Sequence, residues 1–528
     1  MTLIVTPPTG KNEVADVKVK MADGTIKDVL RLAVKTSEGT LETIYERVPP
    51  TSPTPPFGID PLKLTVNAHD GEFVLPSSGT GILDWIVDWG DGQVTRVRHL
   101  PDTFHNYTAP GTYQIKIYPP TAAATAWLLP FGFSAYDDDQ PAPATGANSL
   151  ANRQKVIQVD GVLVPKMFGT AAQIASGAVG DGVCNHWFCG CTNLTMSDTF
   201  TFAGWENITE VGGGFCHGMF KLCSGNDFTM GATFNLPQNI QRINRAGAKY
   251  RTYNWRQIPA FAFCCEMFYR CKGVKFNMND IFTLPQTLIM TGAWFCTNMF
   301  RGCSGVAFTM GKSFNLPQNL TKIQEPEVTT TYGHVFENMF FGCSGKAFNM
   351  NKIFNMPQGL RHGLLQTGTR MFLNCSGNAF TMNEIFNLPQ AMMNTGQGMA
   401  QQMFAGCKGN AFTMNKVFKI PPHLVAKIHS AAHFCSHTFA GCSGPVFQVN
   451  NVFVFKTLTV TELNKERTNS NGNTILEGAY MNTFSGCTTP QTRTAASIIG
   501  NNPTPTVPHN TFGTGFPDRN SIDANWRG

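Results

Sequence analysis

Charged residues are scarce in this chain. Asp, Glu, Lys and Arg make up 14% of its 528 residues, whereas an average globular protein has about 25%. The net charge is +6 and no dense run of Lys or Arg occurs, so we expect no nucleic-acid partner. The 51 Gly and 32 Pro indicate many turns. The 42% of hydrophobic residues is nevertheless enough to build cores.

Export, membrane and catalytic signals are also missing. The first residues, MTLIVTPPTG, lack the basic segment and apolar run of a secretory signal, and no run of about 18 apolar residues follows. The patterns G-x-x-x-x-G-K-[ST], H-E-x-x-H and G-x-S-x-G do not occur. Paired carboxylates at a common spacing are absent from the repeats described below. The sequence therefore predicts a non-enzymatic protein without cofactor or metal, and no membrane insertion.

A short tandem repeat opens the chain. VKVKMADGTIKDVLR at 17–31 is followed by LAVKTSEGTLETIYE at 32–46. Asp-Gly and Glu-Gly between alternating apolar residues predict a β-hairpin for each copy. Residues 1–47 can hardly bury a core alone, so we interpret them as a docking region that needs a partner. The Pro-rich residues 48–61 are then a stiff linker.

Residues 62–160 have the alternation and turns of a β-sandwich. Asp88, Trp89, Gly90, Asp91 and Gly92 predict a tight turn between two strands. With the later H-x-Y and G-x-Y motifs, at 105–107 and 111–113, this turn resembles that of PKD domains, which are Ig-like modules. We favour a structural role for the acidic residues and His105 over calcium binding or catalysis.

From about residue 184 onward the chain repeats itself. The repeats align on cysteines spaced by 32, 48, 32, 40, 32, 32, 35 and 45 residues. A period of 32 with insertions accounts for these spacings. The aligned cysteines are Cys191, Cys223, Cys271, Cys303, Cys343, Cys375, Cys407, Cys442 and Cys487.

Each repeat is interpreted as a short helix followed by an extended strand. Cys296, Met299, Phe300 and Cys303 follow i, i+3, i+4, i+7 spacing, which would place them on one helical face. Gly305 would end that helix as a left-handed residue. The phenylalanines equivalent to Phe300 include Phe340, Phe372 and Phe404.

The repeat cysteines are predicted to pack in a core. Zinc binding and a Cys-His nucleophile are the alternatives, because histidines lie near some of them, as at 184–186, 216–217 and 433–437. Asparagines also recur in register, as at 351, 383 and 415 and at 315, 355 and 387. Buried amides must be satisfied, so we predict Asn ladders that bond the bends of successive repeats.

The motif M-F-x-G-C, the apolar run after it and the closing L-P or I-P resemble the BspA-type leucine-rich repeats of bacterial surface proteins. This resemblance covers roughly residues 160–490. It implies a mainly β protein with short helices. The expected order is N-terminal β-hairpin repeats, a PKD (Ig-like) sandwich, an α/β leucine-rich-repeat solenoid at 161–490, and a C-terminal tail or cap at 491–528.

Insertions between repeats are the expected binding regions, because loops on a rigid scaffold often carry binding sites. The longest lie near 240–260, 321–335 and 456–480, and the first has a composition typical of interface hot spots. For any single insertion, a role as a mere cover for the repeats is the favoured alternative. The candidate binding surface consists of Tyr250, Arg251, Tyr253, Trp255 and Arg256.

These features suggest a non-enzymatic structural or adhesion protein of a bacteriophage virion, in a tail fibre or other surface fibre. The tandem V-K-x-x-x-G-T hairpins look like repeats at the head of phage fibre proteins. Other virion proteins would be partners of the N-terminal region, and a host receptor or glycan would bind the insertions. A homo-oligomer or symmetric assembly is expected. The alternatives are a bacterial cell-surface adhesin and, less favoured, a fibre-borne glycan-degrading enzyme.

Overall fold

A computed structural model describes most of the chain. Residues described in full span 60–77, 83–121, 145–243, 262–323, 334–361, 366–393, 398–421, 433–458, 478–505 and 509–527, with shorter stretches between them. In the strands at 2–46, 250–259 and 466–476 only the backbone is described. The chain forms two compact units, Met1–Thr54 and Pro55–Gly528.

The first unit contains five strands. Each copy of the tandem repeat forms one antiparallel pair, β2 with β3 and β4 with β5. β1 pairs with β2 and completes a three-stranded sheet. The strands are β1 (Thr2–Thr6), β2 (Asp16–Lys20), β3 (Ile26–Asp28), β4 (Arg31–Lys35) and β5 (Leu41–Glu46).

The second unit begins with a six-stranded sheet in the order β14-β12-β6-β11-β8-β9 and a two-stranded sheet of β7 and β10. Alternate residues of β6 are buried, as expected for a strand with one face on a core. The elements are β6 (Leu62–Ala68), β7 (Glu72–Val74), β8 (Trp85–Asp88), β9 (Val94–Val97), a 3-10 helix (Leu100–Thr103), β10 (Phe104–Asn106), β11 (Gly111–Tyr118), α1 (Leu150–Gln154), β12 (Val156–Asp160), β13 (Val162–Leu163), a 3-10 helix (Pro165–Met167), α2 (Ala171–Ala175), β14 (Thr195–Met196) and β15 (Thr201–Phe202).

The six-stranded sheet and the repeats are continuous. β14, which belongs to the first repeat, pairs in parallel with β12, and one hydrophobic cluster runs from Leu62 to Trp526. The elements of the repeats and the C-terminus are short: β16 (Glu210–Val211), β17 (Arg242–Ile243), β18 (Tyr250–Tyr253), β19 (Arg256–Pro259), β20 (Met290–Thr291), β21 (Lys322–Ile323), α3 (Val460–Leu463), β22 (Glu466–Thr468), β23 (Thr474–Leu476), α4 (Ala495–Ile499), a 3-10 helix (Arg519–Ser521) and α5 (Ala524–Arg527).

The expected fold class is wrong. Helix accounts for 8% and strand for 15%, and the strands form several small sheets with no closed solenoid. The protein is therefore not clearly mainly β, and residues 161–490 are not an α/β leucine-rich-repeat solenoid. Neither the helix nor the extended strand expected in each repeat is present in the described repeats. Turns replace the helix, and irregular backbone interrupted by turns replaces the strand.

Consecutive turns replace the expected helix. In the repeat of Cys303, three overlapping turns are closed by bonds from Met299 N to Cys296 O at 3.3 Å, Arg301 N to Asn298 O at 3.1 Å and Cys303 N to Phe300 O at 3.1 Å. The intervening N–H groups donate to the next repeat, as from Phe300 N to Met339 O at 2.8 Å. Left-handed backbone at Cys296, Asn298 and Gly302 makes this alternation possible. We call one such repeat a layer and this segment its turn column.

Gly305 also has a different role from the expected one. Its φ is not in the left-handed region, and a Cβ added there would lie 2.3 Å from the carbonyl oxygen of Gly273 in the preceding layer. Gly345 has the same relation to Gly305, also at 2.3 Å. These positions need glycine because the backbones of successive layers approach closely there. The equivalent positions are Gly225, Gly273, Gly305, Gly345, Gly377, Gly409 and Gly444.

The asparagine ladders are present. Asn351 Nδ2 donates to Gly311 O at 2.6 Å and Phe314 O at 2.7 Å in the preceding layer, and its Oδ1 accepts from Phe354 N at 2.9 Å. Asn383 repeats this pattern one layer later. In the layer of Cys487, Arg493 supplies the equivalent donors to Asn450 O and Phe453 O. Side chains thus bond the bends of neighbouring layers.

Phenylalanine rings stack through the core. Phe340 lies parallel to Phe300 at 5.3 Å and to Phe372 at 5.2 Å, and its edge contacts Phe354 at 5.6 Å. Such stacked and T-shaped pairs are favourable geometries for aromatic rings. At the C-terminus, the ring of Phe512 stacks on that of Phe484 at 5.9 Å, so residues after 491 continue the stack of layers.

Candidate functional site

The PKD-like turn is a compact hydrogen-bonded structure. Gly90 and Gly92 have left-handed φ values of 83° and 89°. The side chains of Asp88 and Asp91 accept from Gly90 N and Gln93 N, each at 3.0 Å. A Cβ at Gly90 would lie 2.6 Å from Gln114 O, so glycine is required there.

Aromatic residues anchor this turn to the hydrophobic core. The buried Trp89 ring lies parallel to His105 at 4.5 Å, and His105 Nε2 lies 2.9 Å from Asp91 Oδ2. Tyr107 donates its hydroxyl to Trp89 O at 3.2 Å, and burial raises the pKa of that phenol. The side chains of Asp88, Asp91, His105 and Tyr107 thus each have a partner within the protein, and the geometry accounts for the motif as a structural element.

The nine aligned cysteines lie in the core with free thiols. Cys343 Sγ donates to Phe300 O at 3.1 Å, and the same contact, at 3.1–3.2 Å, recurs for seven other members of the set. Phe300 O already accepts from Cys303 N, so the thiol satisfies its second lone pair. A cysteine fits because it is small, apolar and still a weak donor. Burial raises the pKa of Cys343 well above its ordinary value.

A second row of thiols runs beside a polar cluster. Burial raises the pKa of Cys184 and Cys264, and both hydrogen-bond to Cys216 between them. Cys216 is completely buried, so it offers no substrate access to a nucleophile. Burial lowers the pKa of His186 well below its ordinary value and that of His217 to about 4. Both imidazoles are therefore neutral at pH 7.

No metal centre is evident in the described residues, where no group of three or more His, Cys, Asp and Glu side chains could hold an ion. Among the helices described, none is long and apolar enough to cross a membrane.

The insertions leave the layers at one edge. The chain departs at Ile243 and Ile323, the last residues of β17 and β21, which belong to one parallel sheet. It returns at Ala262 and His334, nine residues before Cys271 and Cys343. At the connections 362–365, 394–397 and 422–432 the chain leaves and returns at corresponding places in its layers. The stacking therefore places the points at which the chain leaves and re-enters the layers along one side.

The candidate binding surface lies in the first insertion. Tyr250, Arg251 and Tyr253 belong to β18 and Arg256 to β19, and the two strands pair as a hairpin with Tyr253 opposite Arg256. Trp255 and all five side chains lie outside the described residues. The structure thus brings four of the five positions onto one hairpin.

A strip of cations and aromatic rings runs along the turn columns, with one fully buried member and four partly buried ones. The Arg301 guanidinium carbon lies 4.7 Å from the centre of the Phe341 ring and 5.9 Å from that of Tyr269. Arg270 and Lys221 approach Tyr269 at 5.3 and 5.0 Å. We call Lys221, Tyr269, Arg270, Arg301 and Phe341 the arginine–aromatic strip.

The sequence reasoning missed this strip. Four of its members occupy the position two residues before a repeat cysteine, and Arg270 follows Tyr269. The sequence therefore shows that these four residues occupy the same position in successive repeats. On the predicted helix these positions show no sign of proximity, because residues of different repeats come together only when the layers stack.

Comparison of the chain with protein-family models, curated proteins and solved structures finds no match. The site must therefore be interpreted from its own chemistry.

Proposed function

We propose that this protein is a non-enzymatic structural and adhesion protein of a bacteriophage virion, in a tail fibre or another surface fibre. Its insertions would bind a host-surface receptor or glycan. The observation that carries the proposal is that the chain leaves and re-enters the regularly stacked layers along one edge, at insertions of unequal length. A scaffold with a repeated hydrogen-bond pattern and loops of variable length on one side is suited to recognition.

The N-terminal unit would attach the protein to its particle. The five strands of Met1–Thr54 form small sheets of two and three strands. Sheets of this size gain stability from association. We propose that other virion proteins, or copies of this chain in a symmetric assembly, supply that association. The protein would then be exposed on the virion surface.

The recognition role is tested with the full-length protein. Residues 245–258 are replaced by a short Gly-Ser loop, and binding to host cells is measured by flow cytometry. We expect cell binding to fall at least several-fold, with an unchanged circular dichroism spectrum. The matched control replaces 394–397, a connection of four residues on the same edge, and should retain most binding. Equal binding by all three proteins would contradict the proposed role of the insertion.

The virion role is tested by deleting residues 1–47 in the producing phage. We expect the truncated chain to be expressed and absent from purified particles, whereas full-length protein is incorporated. Incorporation of the truncated chain would refute the docking role. Complete absence of the full-length protein from particles, with display on a bacterial surface, would replace the virion proposal by a cell-surface adhesin.

A further inference from the structure

We propose that a groove along three layers of the repeat binds an extended, neutral polysaccharide through the hydroxyl groups of its sugars. The groove has a volume of about 740 Å³ and is lined by parts of residues 349–352, 381–385 and 411–416. In the layer of Cys407 its lining runs from Ala411, in one exposed bend, to Lys416 in the next. This inference goes beyond the proposed function, because the site belongs to the layers and not to the insertions.

The floor of the groove is a row of amide and hydroxyl side chains. Asn349, Thr381 and Thr413 each lie six residues after a repeat cysteine, so they occupy the same position in three successive layers. All three are half-buried, whereas Glu384 and Lys416 at the rim are exposed. The three layers therefore present polar side chains in a row that runs along the stack.

Hydrogen bonds to the backbone decide which polar atoms of this row are left for an occupant. Asn349 Oδ1 accepts from Met350 N at 2.9 Å and from Thr381 N in the next layer at 3.2 Å. Its Nδ2 group donates no hydrogen bond within the described part of the chain. The hydroxyl oxygen of Thr381 accepts from Thr413 N at 3.4 Å, and its proton has no acceptor among the described residues. Two successive layers thus offer donors to an occupant that carries acceptor oxygens.

The rim of the groove carries charges of both signs. Lys416 Nζ lies 2.9 Å from Glu384 Oε1, and both side chains are mostly exposed. Lys352 occupies the equivalent position one layer before Glu384. Because Lys, Glu and Lys alternate along the rim, a polyanion or a polycation would meet a like charge in at least one layer. Hydroxyl groups, which both donate and accept hydrogen bonds, suit this rim better than ionised groups.

The groove does not suit a peptide strand or nucleic-acid bases. Its backbone groups bond to adjacent layers, as from Met310 N to Asn349 O and from Met414 N to Gln448 O, each at 3.4 Å. An added β-strand needs an open row of backbone N–H and C=O groups instead. Among the described residues, no aromatic ring lines the groove. Single-stranded nucleic acids bind by stacking their bases on such rings.

The spacing of the layers matches a chain of sugars. The core rings of Phe340, Phe372 and Phe404, one from each of the three layers, are stacked at 5.2 and 5.1 Å. An extended chain of β-1,4-linked pyranoses advances by nearly the same distance per sugar, so each layer can contact one sugar. Ile385 lines the groove and is 45% exposed, so it offers an apolar contact to the C–H face of a sugar ring.

The test measures binding of soluble oligosaccharides to the full-length protein by isothermal titration calorimetry. The probes are hexamers of β-1,4-linked glucose, mannose and N-acetylglucosamine. We expect at least one of them to bind, with an affinity that changes little as salt increases, because no ion pair forms. Oligogalacturonate, single-stranded DNA and an unstructured peptide represent the other classes of ligand. Failure of all three neutral hexamers to bind would overturn the proposal, and so would tighter binding of any of the other probes.

Two matched pairs of variants locate the site. Thr381→Val removes a hydroxyl donor from the groove and should weaken binding several-fold. Thr309→Val makes the same change two layers earlier, outside the groove lining, and should bind like wild type. Ala411→Trp should block the groove and abolish binding, whereas Ala307→Trp, at the equivalent exposed bend in the layer of Cys303, should not. Circular dichroism checks that each variant is folded, and the Thr pair is decisive where a Trp variant is not. Equal affinity within either folded pair would overturn the assignment.

Failure of this site and failure of the proposed function are distinguishable. Replacement of residues 245–258 should leave hexamer binding unchanged, because the groove is lined by residues of the layers. Loss of hexamer binding in that variant would move the site to the insertion and overturn the assignment to the groove. If no host cell is bound while hexamer binding requires Thr381, the groove stands and the host-receptor role fails.

Discussion

Substitution of two glycines three residues apart distinguishes close packing of layers from helix geometry. Gly345→Ala would place a Cβ 2.3 Å from Gly305 O, whereas ordinary van der Waals contacts of Cβ atoms are 3.4–4 Å. The backbones of two layers must move apart by about 1 Å. Because both backbones are held by hydrogen bonds on either side, we expect the free energy of unfolding to fall by about 3 kcal/mol or more. This value is at the upper end of the range for overpacked cores.

Gly342→Ala is the matched control. Gly342 has a φ of 70°, and nothing lies within 4 Å of its ideal Cβ. Alanine at this position would introduce only the strain of a left-handed backbone conformation, which lowers the free energy of unfolding by about 1–2 kcal/mol. If the segment were a helix ending at Gly345, Gly342 would be a helix-interior residue, and alanine there would stabilise it by about 0.5–1 kcal/mol.

The stability loss is best measured locally, because a long repeat array need not unfold in one step. Native-state hydrogen exchange of the amides that donate between layers, such as Phe340 N to Met371 O at 2.8 Å, reports the opening of this region. We expect protection to fall more in Gly345→Ala than in Gly342→Ala. A stabilising Gly342→Ala, or a larger loss in that variant, would refute the close-approach explanation.

Three further predictions concern the core and its titration. Cys343→Ala should lower local stability by about 1–2 kcal/mol because a buried donor is lost, while Cys343→Leu should cost more through overpacking; exchange protection tests both. Phe340→Ala should lower the stability by about 3–5 kcal/mol because it leaves a cavity in the core. Phe340→Leu should lower it clearly less. Burial lowers the pKa of His217 from 6.5 to about 4. The unfolded chain therefore binds this proton first on acidification, and stability present above pH 6.5 is lost as pH falls towards 4. His217→Asn should flatten the dependence of Tm on pH over that window, and an unchanged slope would exclude this residue as its source.

Much of the local structure could be predicted from the sequence. The tandem hairpins and the glycine-rich turn at 90–92 follow from residues with strong turn preferences. The Asn ladders follow from register, because residues that recur at one period occupy equivalent positions in stacked units. The burial of the cysteines follows from the apolar residues that replace Cys296 at the same register, such as Phe336 and Ala400.

The conformation of the repeat could not be predicted in the same way. Spacing of i, i+3, i+4, i+7 is typical of a helical face. Turns that alternate left- and right-handed residues place Cys296, Met299 and Phe300 in the core as well, and spacing alone does not distinguish the two. The left-handed φ of 53° at Cys296 is unusual for such a residue and depends on its neighbours. Cys296 N donates to Phe263 O at 2.9 Å in the preceding layer, a contact that no local pattern reveals.

The sequence by itself determined the period, the register and the residues that face the core, because these depend on the order of side chains along the chain. Only the tertiary structure decided whether each unit would be helical. That choice depends on hydrogen bonds between layers and on the glycine contacts that let layers approach. The arginine–aromatic strip belongs to the same category, since Tyr269, Arg301 and Phe341 are separated by 32 and 40 residues and meet only when the layers stack.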